Sequence, residues 1–201
     1  MSTTAPSLGA RLIAGIDRFN DHVGRATAWC AIAMVLMQFA VVVLRYVFGI
    51  GVIWMQESIV YMHAVLFMIG AGYTLLHDGH VRVDVFYREM PGRRKAMVDL
   101  AGALVFVIPI CILVMDVSWP YVSNSWKVLE GSKETSGIPA IFLLKSTILA
   151  FAVLVMLQAL SMALRAVLIL QGATPPGKPL DGAHEGRQDI DDPAPNTEGA
   201  P

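Results

Sequence analysis

Charge is scarce in this sequence. Only 15% of its 201 residues are Asp, Glu, Lys or Arg, against about 25% in an ordinary soluble chain. Cysteine is nearly absent: Cys30 and Cys111 each lie inside an apolar run, with no C-x-x-C spacing. That pattern excludes a disulfide framework and a thiol redox pair, and leaves two small hydrophobes. A basic stripe is missing too, and the formal net charge is -1, so nucleic acid is not an expected partner. No Ser/His/Asp set, phosphate loop or metal-ligand cluster stands in the chain, so no catalytic residues and no cofactor are expected.

Apolar residues dominate instead, at 55% with a mean hydropathy of +0.58. Charged residues cut them into four runs: 26–44, 58–76, 96–115 and 146–164. Each run has about 19–20 residues, which at about 1.5 Å per residue matches a hydrocarbon core of about 30 Å. The expected fold is all-α, an integral membrane bundle of four transmembrane helices spanning residues 26–170. A cytoplasmic segment, 1–25, precedes it. That segment mixes Arg11, Asp17, Arg18, Asp21 and Arg25 with no purely apolar stretch, and no A-x-A-like site follows the first span, so a cleaved signal peptide is not expected. A tail, 171–201, rich in Pro, Gly and Asp, is expected to be disordered and cytoplasmic.

Lys and Arg set the orientation. With the N-terminus inside, the inner segments hold Arg11, Arg18, Arg25, Arg82, Arg88, Arg93, Arg94, Lys95, Arg165, Lys178 and Arg187. The outer ones hold only Arg45, Lys127, Lys133 and Lys145. The positive-inside rule therefore places both termini in the cytoplasm. Trp54, Trp119, Tyr121 and Trp126 then form an outer interfacial belt. In the inner connection, HVRVDVFY alternates like a strand. A lone strand at a membrane would leave backbone groups unpaired, so an interfacial amphipathic helix between spans two and three is preferred. Pro109 inside span three needs neighbours that re-satisfy the carbonyl it frees.

Polar residues in or near the spans are the candidate sites. Arg45 and Glu57 flank one outer hairpin and are placed to form an ion pair; this pins the hairpin or docks a partner, with ion or substrate binding as the alternative. Trp54, Glu57, Ser58 and Tyr61 share one helix face, more polar than lipid would welcome. His63 is the one histidine within a span. The expectation is a hydrogen-bonded packing residue; a haem ligand would need a second ligand on another helix. His22, His77 and His80 lie at or beyond the inner boundary. Asp99, beside Gly102 and Ala103, is expected to pair with an arginine at the inner boundary rather than hold a coupling ion. Lys145 snorkels outward or meets an acidic partner. Gln158, Ser161 and Arg165 form a polar edge suited to a helix–helix seam.

RYVFG after span one, the W-x-x-E of Trp54 and Glu57, HVRVD in the inner connection, and GIP before span four together resemble the DctQ-like small permease subunit of TRAP (tripartite ATP-independent periplasmic) transporters. The resemblance runs from about Phe19 to Leu170. It implies a bacterial inner-membrane protein acting in ion-gradient-driven organic acid uptake. Its partners would be a large multi-span permease subunit, which carries the substrate and ion sites, a periplasmic substrate-binding protein that delivers the solute, and membrane lipids. The chain itself would be a scaffold without enzymatic activity. Arg45, Trp54, Glu57, His80, Arg82 and Asp84 would then be interface or structural positions. One departure is FLLKSTILA with Lys145, where many members carry a proline-containing apolar run. Two other classes compete: a haem or quinone redox subunit, which lacks paired histidines here, and a stand-alone four-helix efflux pump, which lacks an acidic residue deep in a span.

Overall fold

The computed structural model describes residues 8–80 and 90–173. Those residues are all helical, apart from turns and connections, and contain no strand. Four helices are long and apolar enough to cross a membrane: α1 (Leu8–Val47), α2 (Ile53–Leu76), α3 (Gly92–Lys127) and α4 (Ile141–Leu170). The interfacial segment expected around Val81–Tyr87, with Arg82 and Asp84, lies outside the described residues, as does most of the tail.

The helices run to 40, 24, 36 and 30 residues, longer than the apolar runs that signal them. A charged residue ends a run of lipid-compatible side chains but not a helix, because backbone hydrogen bonding continues wherever the side chains can reach water or each other. At about 1.5 Å per residue, α1 is about 60 Å long, twice the hydrocarbon thickness. Its charged N-terminal third therefore runs on beyond the 26–44 apolar run and packs alongside the inner half of α4. At its other end Gly49 takes φ +68, and Ile50 N–H donates back to the Leu44 carbonyl at 2.9 Å. This glycine-ended helix stop turns the chain into α2 within RYVFG.

α4 is the central helix and touches all three others. Its small side chains let its neighbours approach closely. Ala152 and Val155 pack with Ala71 of α2 and Cys111 of α3; lower down, Ala159 and Ala163 close on Ala103 of α3. Both α2 and α3 widen into a π turn, at Val65–Ile69 and Gly102–Val107. The second ends where Ile108 N–H reaches the Ala103 carbonyl, five residues back, one residue before Pro109. A local widening of this kind is how a helix absorbs a proline that cannot donate to the preceding turn.

Candidate functional site: polar locks at the two ends of the bundle

Asp17, on the first turns of α1, receives three donors from one edge of α4. Ser161 Oγ donates at 2.6 Å and Gln158 Nε2 at 3.1 Å to Asp17 Oδ1, while Arg165 pairs with Oδ2. Asn20, one turn further on, donates to Gln158 Oε1 at 2.8 Å. Asn20 and Ser161 are fully buried, and the side chains of Arg165 and Asp17 are only 12% and 17% exposed. Gln158, Ser161 and Arg165 are thus the helix–helix seam their spacing indicates. The partner was not legible: Asp17 and Asn20 sit in a segment whose charges look like those of any cytoplasmic leader. Beside them Asp21 bonds His77 Nε2 and Arg25, each at 3.0 Å, tying α1 to the end of α2.

The outer end is tied by Glu57 and Glu130. Glu57 does not pair with Arg45, contrary to the sequence expectation. Its carboxylate takes the Ser132 hydroxyl and the Ile138 backbone N–H, the latter at 2.6 Å. Arg45 is exposed at the end of α1 and makes no ion pair with a described residue. The reason is reach and competition: two donors on the loop before α4 point at Glu57, whereas Arg45 faces solvent. Two motifs quoted above therefore meet, the glutamate of W-x-x-E and the Gly137–Ile138–Pro139 turn. A side chain on Gly137 would lie 2.3 Å from Ser132 Oγ and 2.7 Å from Glu57 Oε1, so only glycine fits there.

Lys145 meets the acidic partner allowed for it. It pairs with Glu130 and lies 4.0 Å above the Tyr121 ring, and Ser125 Oγ adds a 2.7 Å bond to the same carboxylate. The Lys145 ammonium, then the Ser125 hydroxyl, hold the Glu130 carboxyl below its ordinary value. A carboxyl depressed by folding stabilises the fold above its unfolded pKa, and that contribution disappears as pH falls through the folded value. The outer lock should therefore loosen only below about pH 4.5. Comparing thermal stability in detergent from pH 7 to pH 3.5 tests this: the advantage of the native chain over Glu130→Gln should shrink across that interval. An advantage that grew on acidification would refute it.

The remaining candidates are scattered. Trp54 is half exposed. The Tyr61 hydroxyl is buried without a partner among the described residues. His80 is exposed. Asp99 and Lys95 are buried one turn apart on α3. His63 is not the packing histidine expected: it is exposed on α2, stacked on Phe67 at 6.1 Å, and bonds no described residue. Its i+4 neighbour Phe67 is also exposed, so that strip of α2 turns away from α4. No group of His, Cys, Asp or Glu suited to a metal occurs among the described residues.

Polar ties at both ends and a closed apolar middle hold the four helices together. The family profile described as "Tripartite ATP-independent periplasmic transporters, DctQ component" matches residues 34–168, about two thirds of the chain. This chain belongs to that family. A curated relative, the C4-dicarboxylate TRAP transporter small permease protein DctQ of Vibrio cholerae, is 33% identical over 110 residues. The match covers 53% of this chain and 46% of the relative, so the chain spans about half the length of the relative it matches. No solved structure matches. The DctQ-family stretch contains Glu57, Glu130, Lys145 and the α4 half of the inner lock; Asp17, Asn20 and Asp21 precede it. This DctQ-family chain is a small TRAP transporter component with four helices able to cross a membrane.

Proposed function

We propose that the chain is the static scaffold of a TRAP-type secondary transporter in the bacterial inner membrane. It holds a large permease subunit that takes up an organic acid, delivered by a periplasmic binding protein, at the expense of an ion gradient. Both chain ends lie in the cytoplasm, as the Lys and Arg asymmetry favours. The Vibrio relative names C4-dicarboxylates; for this chain the same broad class, small organic acids, is the reading adopted.

The observation that carries the proposal is where the polar groups go. In the middle of the bundle, Ala71, Cys111, Ala152 and Val155 close on one another, while the carboxylates Asp17, Glu57 and Glu130 are engaged by donors of the same chain. A solute path needs polar groups facing a cavity that water can enter; here they face each other and fasten helices. Such a body suits a support rather than a carrier.

Proteoliposomes provide the test. With the large subunit and the binding protein, this chain should support gradient-driven uptake; reconstituted alone it should give only the leak of empty vesicles. Uptake by the chain alone would overturn the scaffold reading.

A further inference from the structure

We propose that one face of α1, made by Arg18, His22, Arg25 and Trp29, binds the headgroup of an anionic phospholipid whose acyl chains lie along Ile32 and Leu36. Such a site serves the chain in the bilayer with or without a large subunit, so it does not depend on the scaffold reading.

These six residues follow one another at intervals of four, three, four, three and four, the spacing of one helix face. α1 is unbroken from Leu8 to Val47, so they form a single row. All six are exposed, with Trp29 at 71%, Ile32 at 54% and Leu36 at 64%. The opposite side of α1 is spent on the bundle: Asp17 and Asn20 bond α4, and Gly24 lies against Tyr73 of α2. Those contacts fix the rotation of α1 and turn the row away from its neighbours.

The charges on the row are largely unspent. Arg18 is exposed and makes no ion pair with a described residue. Asp21 engages Arg25 through Nε at 3.0 Å, which leaves the two terminal nitrogens of a side chain that is 75% exposed. Asp21 is itself shared with His77, so its charge is divided. A carbonyl can only accept, so the 2.9 Å bond from His22 Nδ1 to the Arg18 carbonyl places a proton on Nδ1. Arg18 and Arg25 stand about 10.5 Å apart along the helix, with His22 between them. Two long guanidinium side chains at that spacing can close on one phosphate from either side.

Cations alone would suit any anion; the order along the row selects the occupant. It runs from guanidinium to indole to aliphatic side chain within consecutive turns of one helix. An anionic phospholipid runs the same way, from phosphate through the polar glycerol region, where indoles prefer to sit, to hydrocarbon. A soluble phosphate would use the guanidiniums and leave Trp29, Ile32 and Leu36 uncovered. A zwitterionic headgroup would bring its own cation against Arg18 and Arg25. The charge and the grading are met together by a lipid of net negative charge.

The test uses the full chain with Trp54, Trp119 and Trp126 changed to Phe, leaving Trp29 as the sole indole. It is placed in vesicles carrying acyl-brominated phosphatidylglycerol or acyl-brominated phosphatidylcholine. The phosphatidylglycerol should quench Trp29 with an apparent affinity about tenfold higher, and high salt should shrink that difference. In the added double variant Arg18→Gln, Arg25→Gln the two lipids should quench within about twofold of each other, with an unchanged thermal melt. Native mass spectrometry of the chain with its tryptophans intact, released from micelles mixed with both lipids, gives a second reading. Phosphatidylglycerol should stay bound to it and be lost from the double variant. Equal quenching by the two lipids before the arginines are changed, or a preference that survives the change, would overturn the proposal. So would displacement of phosphatidylglycerol by soluble glycerol phosphate, which would mark a free-phosphate site. Loss of quenching when the large subunit is added would give the face to protein and overturn it equally.

Discussion

Asp17→Ala should destabilise the isolated chain by about 3–5 kcal/mol, the usual cost of removing one partner from a buried ion pair. Three donors converge on that carboxylate from α4: Gln158, Ser161 and Arg165. Without it, the guanidinium of Arg165, 12% exposed, loses its counter-charge, and two donors on α4 lose their acceptor. Arg165→Met should cost less, because Asp17 keeps Ser161 and Gln158. The double variant Asp17→Leu, Arg165→Met should recover most of the loss, since two apolar side chains of similar size leave no stranded charge. The ordering is as diagnostic as the size. Unfolding in mixed detergent micelles, followed by helical circular dichroism, measures all three; a double variant as unstable as Asp17→Ala would mean that the charge balance is not what holds α1 to α4.

That lock shows where sequence reading succeeds and where it stops. The four spans were legible because lipid imposes a length and a composition that nothing in a soluble core requires. The polar edge of α4 was legible because positions 158, 161 and 165 share a face at helical spacing. What received that edge was not, since Asp17 and Asn20 belong to α1 and meet α4 across more than 130 residues of chain. Periodicity describes one helix at a time; it carries no information on which neighbour fills the complement.

The outer end follows the same logic. Arg45 and Glu57 are close in sequence, across one hairpin, and proximity along the chain suggested a pair. The structure instead gives Glu57 to Ser132 and Ile138, over 70 residues away, because two aligned donors outcompete a flexible exposed guanidinium. The clue was present in another form: W-x-x-E and GIP both fall at the outer boundary, so they belong to one layer of the bundle. His63 illustrates the opposite limit. A histidine within a span is expected inward, yet here it faces away from α4, and its orientation depends on how α2 is rotated against α1, which no single-helix pattern fixes.

Gly24→Val should be the most damaging change at the α1–α2 contact, costing about 3 kcal/mol or more, at or above the upper end for overpacking. A Cβ on Gly24 would lie 2.2 Å from both Cβ and Cγ of Tyr73 and 2.4 Å from Cδ2. The near atoms include Cβ, which is fixed to the backbone, so no rotamer change of Tyr73 clears them; the helices must separate. Separation would act further, because the Tyr73 ring packs on His77 at 4.3 Å and His77 binds Asp21, so the inner tie between α1 and α2 would loosen with it. Helix propensity works the other way: replacing a glycine within a helix with alanine would by itself be favourable by about 1 kcal/mol. Gly24→Ala should therefore destabilise less than Gly24→Val, and by an amount that directly exposes the steric term. Tyr73→Gly should partly rescue either variant, since it removes the Cβ and the ring that occupy the space the new side chain needs, making the double change milder than the sum of its parts. Additive losses in that cycle, measured by the same micelle unfolding, would show that Gly24 and Tyr73 do not compete for one volume and that the close approach of α1 and α2 has another cause.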